Sequence, residues 1–416
     1  MKKKFIIFFI IYIIIASTPL VAVWQPPISI KTSLSAVSKI NKNNINNIAK
    51  NQSTNNKKPK IYKSISKIKN SKIKKLSQKT EPEKIEKSQI KELDNLIITA
   101  KNFSNNPDIK PKHKEESNSS LNKIIDSDGY FDILNLQTGK IEHVSEKDYV
   151  IGAVCAEMPP TFHPEALKAQ AVSAHTYALK MKKEQQKKPD PELKGADFSA
   201  DPINWKKYVT KEIAQKKFGD KFEQYWGKIV SAVNDVTDIV MLYDDEPIIA
   251  AYHAISSGIT ESAHIIWGGD APYLKATESY GDNLAPNYET KVCISADKAK
   301  RILTQNYPDL KLPSSPSKWF NDVTRSASGS VLNVNLENSD IPGTKIRTLF
   351  DLRSANFVVN YDSENNNFEF TVKGYGHDIG LSQYGADYMA QNGSDFKEIL
   401  NHYYADISFA KVSKIS

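Results

Sequence analysis

The sequence has 416 residues, of which 40% are hydrophobic and 25% are charged, with 17 Gly, 20 Pro and two Cys. This length allows one or two domains, and the composition excludes a collagen-like chain, a multi-span membrane protein and a small disulfide-stabilised fold. The net charge of +8 is uneven: residues 1–125 hold 25 Lys and 8 acidic side chains (+17), whereas the remaining 291 residues hold 31 basic and 40 acidic ones (−9).

An uncharged run rich in Ile and Phe extends from Phe5 to Val23, directly after three lysines. Its 19 residues would span about 28 Å as a helix, close to the hydrocarbon thickness of about 30 Å. We therefore predict that residues 1–23 form a single-pass anchor in the cell membrane. The lysines predict a cytoplasmic N-terminus and an extracytoplasmic body. A cleaved signal peptide is the alternative, because Ala16 and Ala22 are small residues of the kind found at cleavage sites.

Residues 24–125 consist largely of Lys, Asn and Ser with scattered Ile, which predicts a basic disordered tether. A short helix within Glu83–Phe103 is the one exception we expect. The lysines are either solvated or attracted to anionic lipid or wall polymer. Because the tether would lie outside the cytoplasm, we predict no nucleic-acid partner despite the positive charge.

The folded domain is predicted over residues 126–416, with a polar excursion at about 182–227. Alternation and turn residues predict a hairpin from Tyr130–Leu136 and Ile141–Val144. Ser145 caps a helix that ends before Pro159, and His163-Pro164 begins another. Later apolar segments predict a helix or strand at Ile229–Val240 and Ile248–His253, strands at Val358–Tyr361 and Phe368–Val372, and a helix near Ser382–Gln391. Strands and helices without a regular βα repeat indicate the α+β class.

Glu157 is a lone carboxylate in an apolar sequence at the C-terminal end of the first predicted helix. Low dielectric and the negative end of the helix dipole both disfavour its ionisation. A neutral carboxylic acid of this kind is what a general acid requires. The alternative is an ordinary solvated glutamate at a helix end.

The segment Gly374–Ala386 combines four glycines with short polar and aromatic side chains. Such a loop lets backbone approach a ligand, although it could equally be a tight entry into the following helix. It differs from nucleotide-binding loops in its glycine spacing and in having no following lysine.

Tyr252, His253 and the more distant His264 form a third polar segment. Two histidines make a weak zinc candidate here, because no thiol lies between them and their spacing is not that of a helical ligand pair. We favour a site-lining or structural role and predict no cofactor. Cys155 and Cys293 are predicted to be buried free thiols, with a single bridge as the alternative.

These segments, in this order, resemble the stage II sporulation protein D family, which is related to the enhancer proteins of cell-wall amidases. The resemblance runs from about Ser145 to Tyr404. It is strongest at Asp148–Pro159, at Glu165–Val172 and in the Gly374–Ala386 loop, and weaker at Arg347–Ser354.

The resemblance implies mixed helices and antiparallel strands around a glycan-binding cleft. It also implies a lytic transglycosylase, a peptidoglycan lyase that cuts strands stripped of stem peptides and leaves 1,6-anhydro-N-acetylmuramoyl ends during engulfment in endospore formation. Glu157 matches the catalytic acid. One carboxyl group suffices, because the C6 hydroxyl of the muramoyl residue attacks its own anomeric carbon, whereas most glycosidases need two carboxylates.

The expected substrate-binding residues are His175, Tyr252, His253, Tyr375, His377, Ser382, Gln383 and Tyr384. The family usually has Arg where this chain has His175. Its imidazole could donate a hydrogen bond to a sugar or to Glu157 but is not a permanent cation. By analogy, the expected partners are stage II sporulation protein P and stage II sporulation protein M. A noncatalytic glycan-binding activator of a cell-wall amidase is the alternative function.

Overall fold

The computed structural model describes residues 123–336 and 339–414, which form a mixed α+β structure. The helices are α1 (Glu146–Glu157), α2 (Pro164–Lys187), α3 (Lys211–Phe218), α4 (Phe222–Asn234), α5 (Ala263–Trp267), α6 (Ala296–Asn306), α7 (Gly343–Leu349), α8 (Gln383–Gln391) and α9 (Phe396–Tyr403). The strands are β1 (Ile124–Ser127), β2 (Tyr130–Asn135), β3 (Ile141–Ser145), β4 (Phe198–Ala200), β5 (Ile239–Tyr243), β6 (Glu246–Pro247), β7 (Tyr252–His253), β8 (Glu289–Ser295), β9 (Val323–Arg325), β10 (Val331–Leu336), β11 (Ser339–Pro342), β12 (Phe357–Asp362), β13 (Asn367–Lys373), β14 (Leu381–Ser382) and β15 (Ser408–Lys414).

Local sequence sets the ends of α1 and α2. The Ser145 side chain accepts a hydrogen bond from the Asp148 backbone N–H, which satisfies one of the free donors at the start of α1. His163 caps α2 in the same way, and Pro164 occupies the first turn, where its missing N–H costs nothing. The predicted hairpin is also confirmed, because β2 and β3 pair antiparallel from Tyr130↔Ser145 to Leu134↔Ile141.

The first hydrophobic core is built around α2. It draws on residues between 125 and 274 and again between 379 and 410. Ala166, Ala169 and Ala174 of α2 are buried, and such small side chains let other elements pack closely. α1, α4, α8, α9 and β5 all contact this helix. α2 therefore connects the early helices that carry Glu157 to the C-terminal elements that carry the glycine-rich loop.

A second core lies within residues 289–373. β8, β13 and β12 form an antiparallel sheet in the order β12-β13-β8, and β9, β10 and β11 form another in the order β11-β10-β9. Together with α6 and α7 they bury Phe320, Phe350, Phe368 and Phe370. Residues 289–373 are thus inserted between two stretches of chain that belong to the first core.

The strand pairing is more varied than the predicted antiparallel arrangement. β1 with β15, β2 with β4 and β7 with β14 are parallel pairs. The Ile229–Val240 segment divides into the end of α4 and the start of β5, and only Tyr252 and His253 of the Ile248–His253 segment are a strand. The strands predicted near 358–361 and 368–372 and the helix near 382–391 are confirmed as β12, β13 and α8.

Residues 182–227 differ from the exposed excursion expected from their polar composition. β4 pairs with β2, and Tyr208, Val209 and Phe222 are buried in the first core. Val209 donates a backbone hydrogen bond to the Gly152 carbonyl, where a Cβ would overlap the Val209 oxygen. Aromatic side chains in a charged sequence thus attach this segment to α1.

The cysteines are both free, and one differs from expectation. Cys155 is buried in α1, as predicted, and burial raises the pKa of its thiol to about 12 although the Lys217 charge opposes this. Cys293 lies in the predicted strand but is exposed.

The predicted anchor at 1–23 and the helix at Glu83–Phe103 lie outside the described residues. So does the tether up to residue 122, whereas Ile124 and Ile125 belong to β1 and pair with β15. Within residues 123–336 and 339–414, no helix has both the length and the apolar character needed to cross a membrane.

Candidate functional site

Glu157 is the last residue of α1, and the chain turns away at Met158 and Pro159. Burial raises the pKa of its carboxyl to about 7, although the residue keeps some exposed surface. Within residues 123–336 and 339–414 no cation offsets this effect, because burial is the only cause of the shift. The C-terminal end of the helix dipole acts in the same direction. At neutral pH a large fraction of Glu157 therefore carries a proton, as a general acid must.

Tyr252 lies close enough to Glu157 for their charges to interact. It belongs to β7, which pairs in parallel with β14, so that Tyr252 is opposite Leu381 and His253 is opposite Ser382. Burial is the main cause that raises the pKa of the Tyr252 hydroxyl well above its usual value. The charge of Glu157 raises it further. Tyr252 is therefore a neutral hydroxyl beside Glu157, able to donate or accept a hydrogen bond.

The glycines of the Gly374–Ala386 segment allow close approach to the strand that carries Tyr252. Gly376 and Gly380 have φ values of +133° and +72°. A Cβ at Gly376 would overlap His253, and one at Gly380 would overlap the Ala251 carbonyl oxygen. Any larger residue at either position would be strained and would push the loop away from β7.

Asp282 anchors the far end of this loop. Its Oδ1 accepts a hydrogen bond of 2.7 Å from Ser382, and its Oδ2 accepts one of 2.9 Å from the Ser256 backbone N–H and another from the Ser256 hydroxyl. Ser382 also caps α8 through the Gly385 N–H. Ser382 therefore orients the loop and has no exposed surface.

The loop also packs against the turn that follows Glu157. The Tyr384 ring meets the Phe162 ring edge-on, with 4.9 Å between centroids, and the His163 N–H donates to Asp387 at 2.6 Å. Gln383 Nε2 lies 3.3 Å from Gln170 Oε1 of α2. These contacts hold the loop and the start of α8 against α2 and the turn that follows Glu157, although more than 200 residues separate them in sequence.

His253, which is buried, and His377, which keeps some exposed surface, lie close together. Their ring centroids are 5.6 Å apart, and His253 Nδ1 is 3.1 Å from the Ile379 carbonyl oxygen. Burial lowers the pKa of His253 to about 4 and that of His377 well below its usual value. Burial also raises the pKa of Asp378 well above its usual range. The 3.9 Å between His253 Nε2 and Asp378 Oδ1 is too long for a hydrogen bond.

His175 lies elsewhere, at the opposite end of α1. Its Nε2 is 3.3 Å from Oε2 of Glu146, the first residue of that helix, and both side chains are buried. Glu146 and Glu157 are 11 residues apart, or about 16 Å along the helix axis. The predicted hydrogen bond from His175 to Glu157 is therefore wrong. Its predicted contact with a sugar finds no support in a side chain that is 2% exposed.

The predicted substrate-binding residues fall into two groups. Those that keep some exposed surface are Tyr252, Tyr375, His377 and Tyr384, and those that are buried are His175, His253, Ser382 and Gln383. The first group lies on or beside the loop that approaches Glu157. In the second group, Ser382 and Gln383 hold the loop, whereas His175 takes no part in it.

A metal site finds no further ligands in the described part of the chain. No group of three or more His, Cys, Asp or Glu side chains suited to a metal occurs in residues 123–336 and 339–414. His264 is exposed on α5, whereas His253 is buried. A cavity of about 390 Å³ lies elsewhere, bordered by Lys180, Tyr243 and Asp270, and shares no residue with the site.

Sequence reasoning missed Asp282 and Arg353. Asp282 has no motif around it, because its partners Ser256 and Ser382 are 26 and 100 residues away. Arg353 lies in the weaker Arg347–Ser354 block, and its backbone carbonyl accepts a hydrogen bond from Gly376 N–H at 3.0 Å. The available sequence signal was the weaker family resemblance at Arg347–Ser354.

The fold and site define a mixed α+β protein in which a carboxyl group of raised pKa at a helix end lies near a glycine-rich loop. Comparison with known proteins identifies the family to which this protein is related. Residues 135–243 match the family model described as "Stage II sporulation protein". Stage II sporulation protein D of Bacillus subtilis (strain 168) is 31% identical over 266 residues, covering 64% of this chain and 74% of that protein.

Two further relatives extend this result. Stage II sporulation protein D of Bacillus amyloliquefaciens is 31% identical over 273 residues, which cover 65% of this chain and 76% of the relative. The Amidase enhancer of Bacillus subtilis is 24% identical over 304 residues, which cover 61% of this chain and 39% of the relative. The chain belongs to the stage II sporulation protein D family.

Proposed function

We propose that the chain is a lytic transglycosylase that cleaves peptidoglycan glycan strands and acts in engulfment during endospore formation. The observation that carries this proposal is the Glu157 carboxyl, whose pKa burial raises to about 7. Membership of a family named for sporulation supports the biological setting. The anchor at residues 1–23, the extracytoplasmic location and the partners called stage II sporulation proteins P and M are part of the same proposal.

In the proposed reaction Glu157 gives its proton to the glycosidic oxygen as the bond to the anomeric carbon breaks. The C6 hydroxyl of the muramoyl residue then attacks that carbon, and the Glu157 carboxylate takes the hydroxyl proton. The products are a 1,6-anhydro-muramoyl end and a new free sugar end, and the carboxyl returns to its protonated form. One carboxyl group with a pKa near neutrality is suited to both proton transfers.

Tyr252 supports this role of Glu157 through its position. A neutral phenol beside the carboxyl can hydrogen-bond to a bound sugar without supplying a charge that would force Glu157 to ionise. The partly exposed Tyr375 and Tyr384 extend the same surface along the loop and offer aromatic faces for sugar rings.

The test is product analysis by mass spectrometry. Denuded glycan strands incubated with the purified chain should yield anhydro-muramoyl ends, and Glu157→Gln should yield none. Glu223→Gln is the matched control, because Glu223 is an exposed glutamate at the start of another helix. Equal product from the wild type and Glu157→Gln would reject the proposed chemistry.

A noncatalytic activator of a cell-wall amidase is the second candidate, supported by the similarity to the Amidase enhancer. It predicts glycan binding and stimulation of a partner amidase without new anhydro ends. The same incubation separates the candidates, because only the transglycosylase produces anhydro ends in the absence of an amidase.

A further inference from the structure

Arg353 is a partly exposed cation held in a fixed orientation beside the glycine-rich loop. Its guanidinium carbon lies 3.9 Å from the centroid of the Tyr375 ring, the distance of a stacked cation–π contact. Tyr384 is near enough for its charge to affect the Arg353 pKa. Stacking on one tyrosine next to another restricts a side chain that is otherwise flexible.

Within the described residues, no carboxylate contributes to the charge environment of this guanidinium. Its Nε is buried and has no hydrogen-bond partner in residues 123–336 and 339–414. Burial lowers its pKa, and the opposing charges are those of Tyr375 and Tyr384, with no carboxylate contributing. Because the Arg353 side chain keeps some exposed surface and no described carboxylate contributes to its charge environment, the guanidinium is suited to an anion supplied from outside.

Other arginines nearby are used differently. Arg325 donates from both terminal nitrogens to backbone carbonyls, at 3.0 Å to Gly329 and 2.8 Å to Phe357. Arg347 donates from Nε to the Leu352 carbonyl. These two side chains hold the fold of the second core, whereas the Arg353 Nε makes no bond of that kind.

Arg353 belongs to the surface around Glu157. Tyr384, its neighbour, packs on Phe162, which follows Glu157 by five residues. Tyr375, on which it stacks, exchanges two backbone hydrogen bonds with Ile255, three residues after Tyr252. These two contacts connect Arg353 to the segments that carry Glu157 and Tyr252.

We propose that Arg353 binds the lactyl carboxylate of a muramoyl residue whose stem peptide has been removed. In a peptide-bearing strand that carboxyl is an amide and has no charge. Peptide removal exposes an anion, which the planar fork of a guanidinium can bind through two charge-assisted hydrogen bonds. The inference rests on the proposed function, and it makes Arg353 the residue that distinguishes denuded from peptide-bearing strands.

The experiment measures binding without cleavage, using the full chain carrying Glu157→Gln. The probes are two muramoyl oligosaccharides of equal length, one with free lactyl carboxylates and one with the same carboxyls converted to methylamides. Arg353→Gln should weaken binding of the free acid by about 10- to 100-fold and leave binding of the amide nearly unchanged. Arg325→Gln is the matched control and should preserve the preference. Arg353→Lys, which keeps the charge but loses the fork, should fall between.

Equal weakening of both probes by Arg353→Gln would show that the residue only supports the loop, and no weakening of either would show that it does not contact the carboxylate. Either result overturns the proposal. Failure of the proposed chemistry is distinguishable, because absence of anhydro products from the chain with Glu157 intact leaves the binding preference measurable.

Discussion

The two ends of α1 carry two largely buried glutamates in opposite states. At the N-terminal end, burial disfavours the charged form of Glu146. The hydrogen bond and charge of His175, together with the hydrogen bond from Ser127, outweigh burial and lower the pKa of Glu146. Glu157, at the C-terminal end, has burial alone, and its pKa rises to about 7. The helix dipole stabilises a negative charge at the first position and disfavours one at the second.

The comparison shows that burial by itself does not decide what a carboxyl group does. A buried carboxylate with a partner is a structural ion pair, whereas a buried carboxyl without one holds a proton that chemistry can use. His175 belongs to the first situation and has no part in the second. Four predictions test this division, beginning with the largest effect.

Replacing Glu157 should abolish activity without harming the fold. Glu157→Gln removes the proton donor, and general acids contribute about 10²- to 10⁴-fold, so cleavage of denuded strands should fall by that factor. Initial rates of anhydro-muramoyl formation measure the loss. The unfolding midpoint at pH 7 should not fall, and a variant that is inactive because it is unfolded would contradict the division of roles.

Replacing His175 should destabilise the fold and is not expected to remove a group that takes part in the chemistry. His175→Ala leaves Glu146 buried without its main partner, which costs about 3–5 kcal/mol of unfolding free energy. Urea unfolding followed by circular dichroism checks this. His264→Ala, at an exposed histidine, should change stability by less than about 0.5 kcal/mol. A stable His175→Ala protein that has lost glycan binding would place His175 in the site after all.

The stability of Glu157→Gln should depend on pH in a defined direction. The folded-state pKa of Glu157 is raised above its ordinary value of 4.5, so the native glutamate costs nothing below about pH 4.5 and an increasing amount as the pH rises through about 7. The variant should therefore match the wild type at low pH and exceed it above pH 7 by up to about 3 kcal/mol. Urea midpoints at a series of pH values measure this difference, and a gap independent of pH would contradict the raised pKa.

The pH dependence of kcat/KM should also show the titration of Glu157. Because the free enzyme needs a protonated Glu157, kcat/KM should fall on the alkaline side of about pH 7, by about tenfold per pH unit. Glu146 has a lowered pKa and remains ionised throughout this range, so it should not contribute to that limb. A flat profile up to pH 9 would show that Glu157 is not the proton donor.

Local pattern predicted the secondary structure well where its determinants are local. Ser145 and Asp148 defined the start of α1, His163-Pro164 defined the start of α2, and Ser382 capped α8. Segment 182–227 differs from its prediction because a few aromatic and apolar residues in a polar sequence attach it to the core. The two-residue strands β7 and β14 exist only as each other's partners, so no pattern in either segment could reveal them.

The sequence by itself determined that Glu157 ends a helix, that a glycine-rich polar loop lies near the C-terminus, and that the family resemblance joins them. Capping, periodicity and the helix dipole act over a few residues, which is why a pattern can report them. Only the tertiary structure decided that Glu157, unlike Glu146, has no counter-ion among the described residues, that Ser382 and Gln383 are buried supports, and that Arg353 stacks on Tyr375. Those outcomes depend on which distant side chains arrive in low-dielectric surroundings, and packing around α2 brings them there.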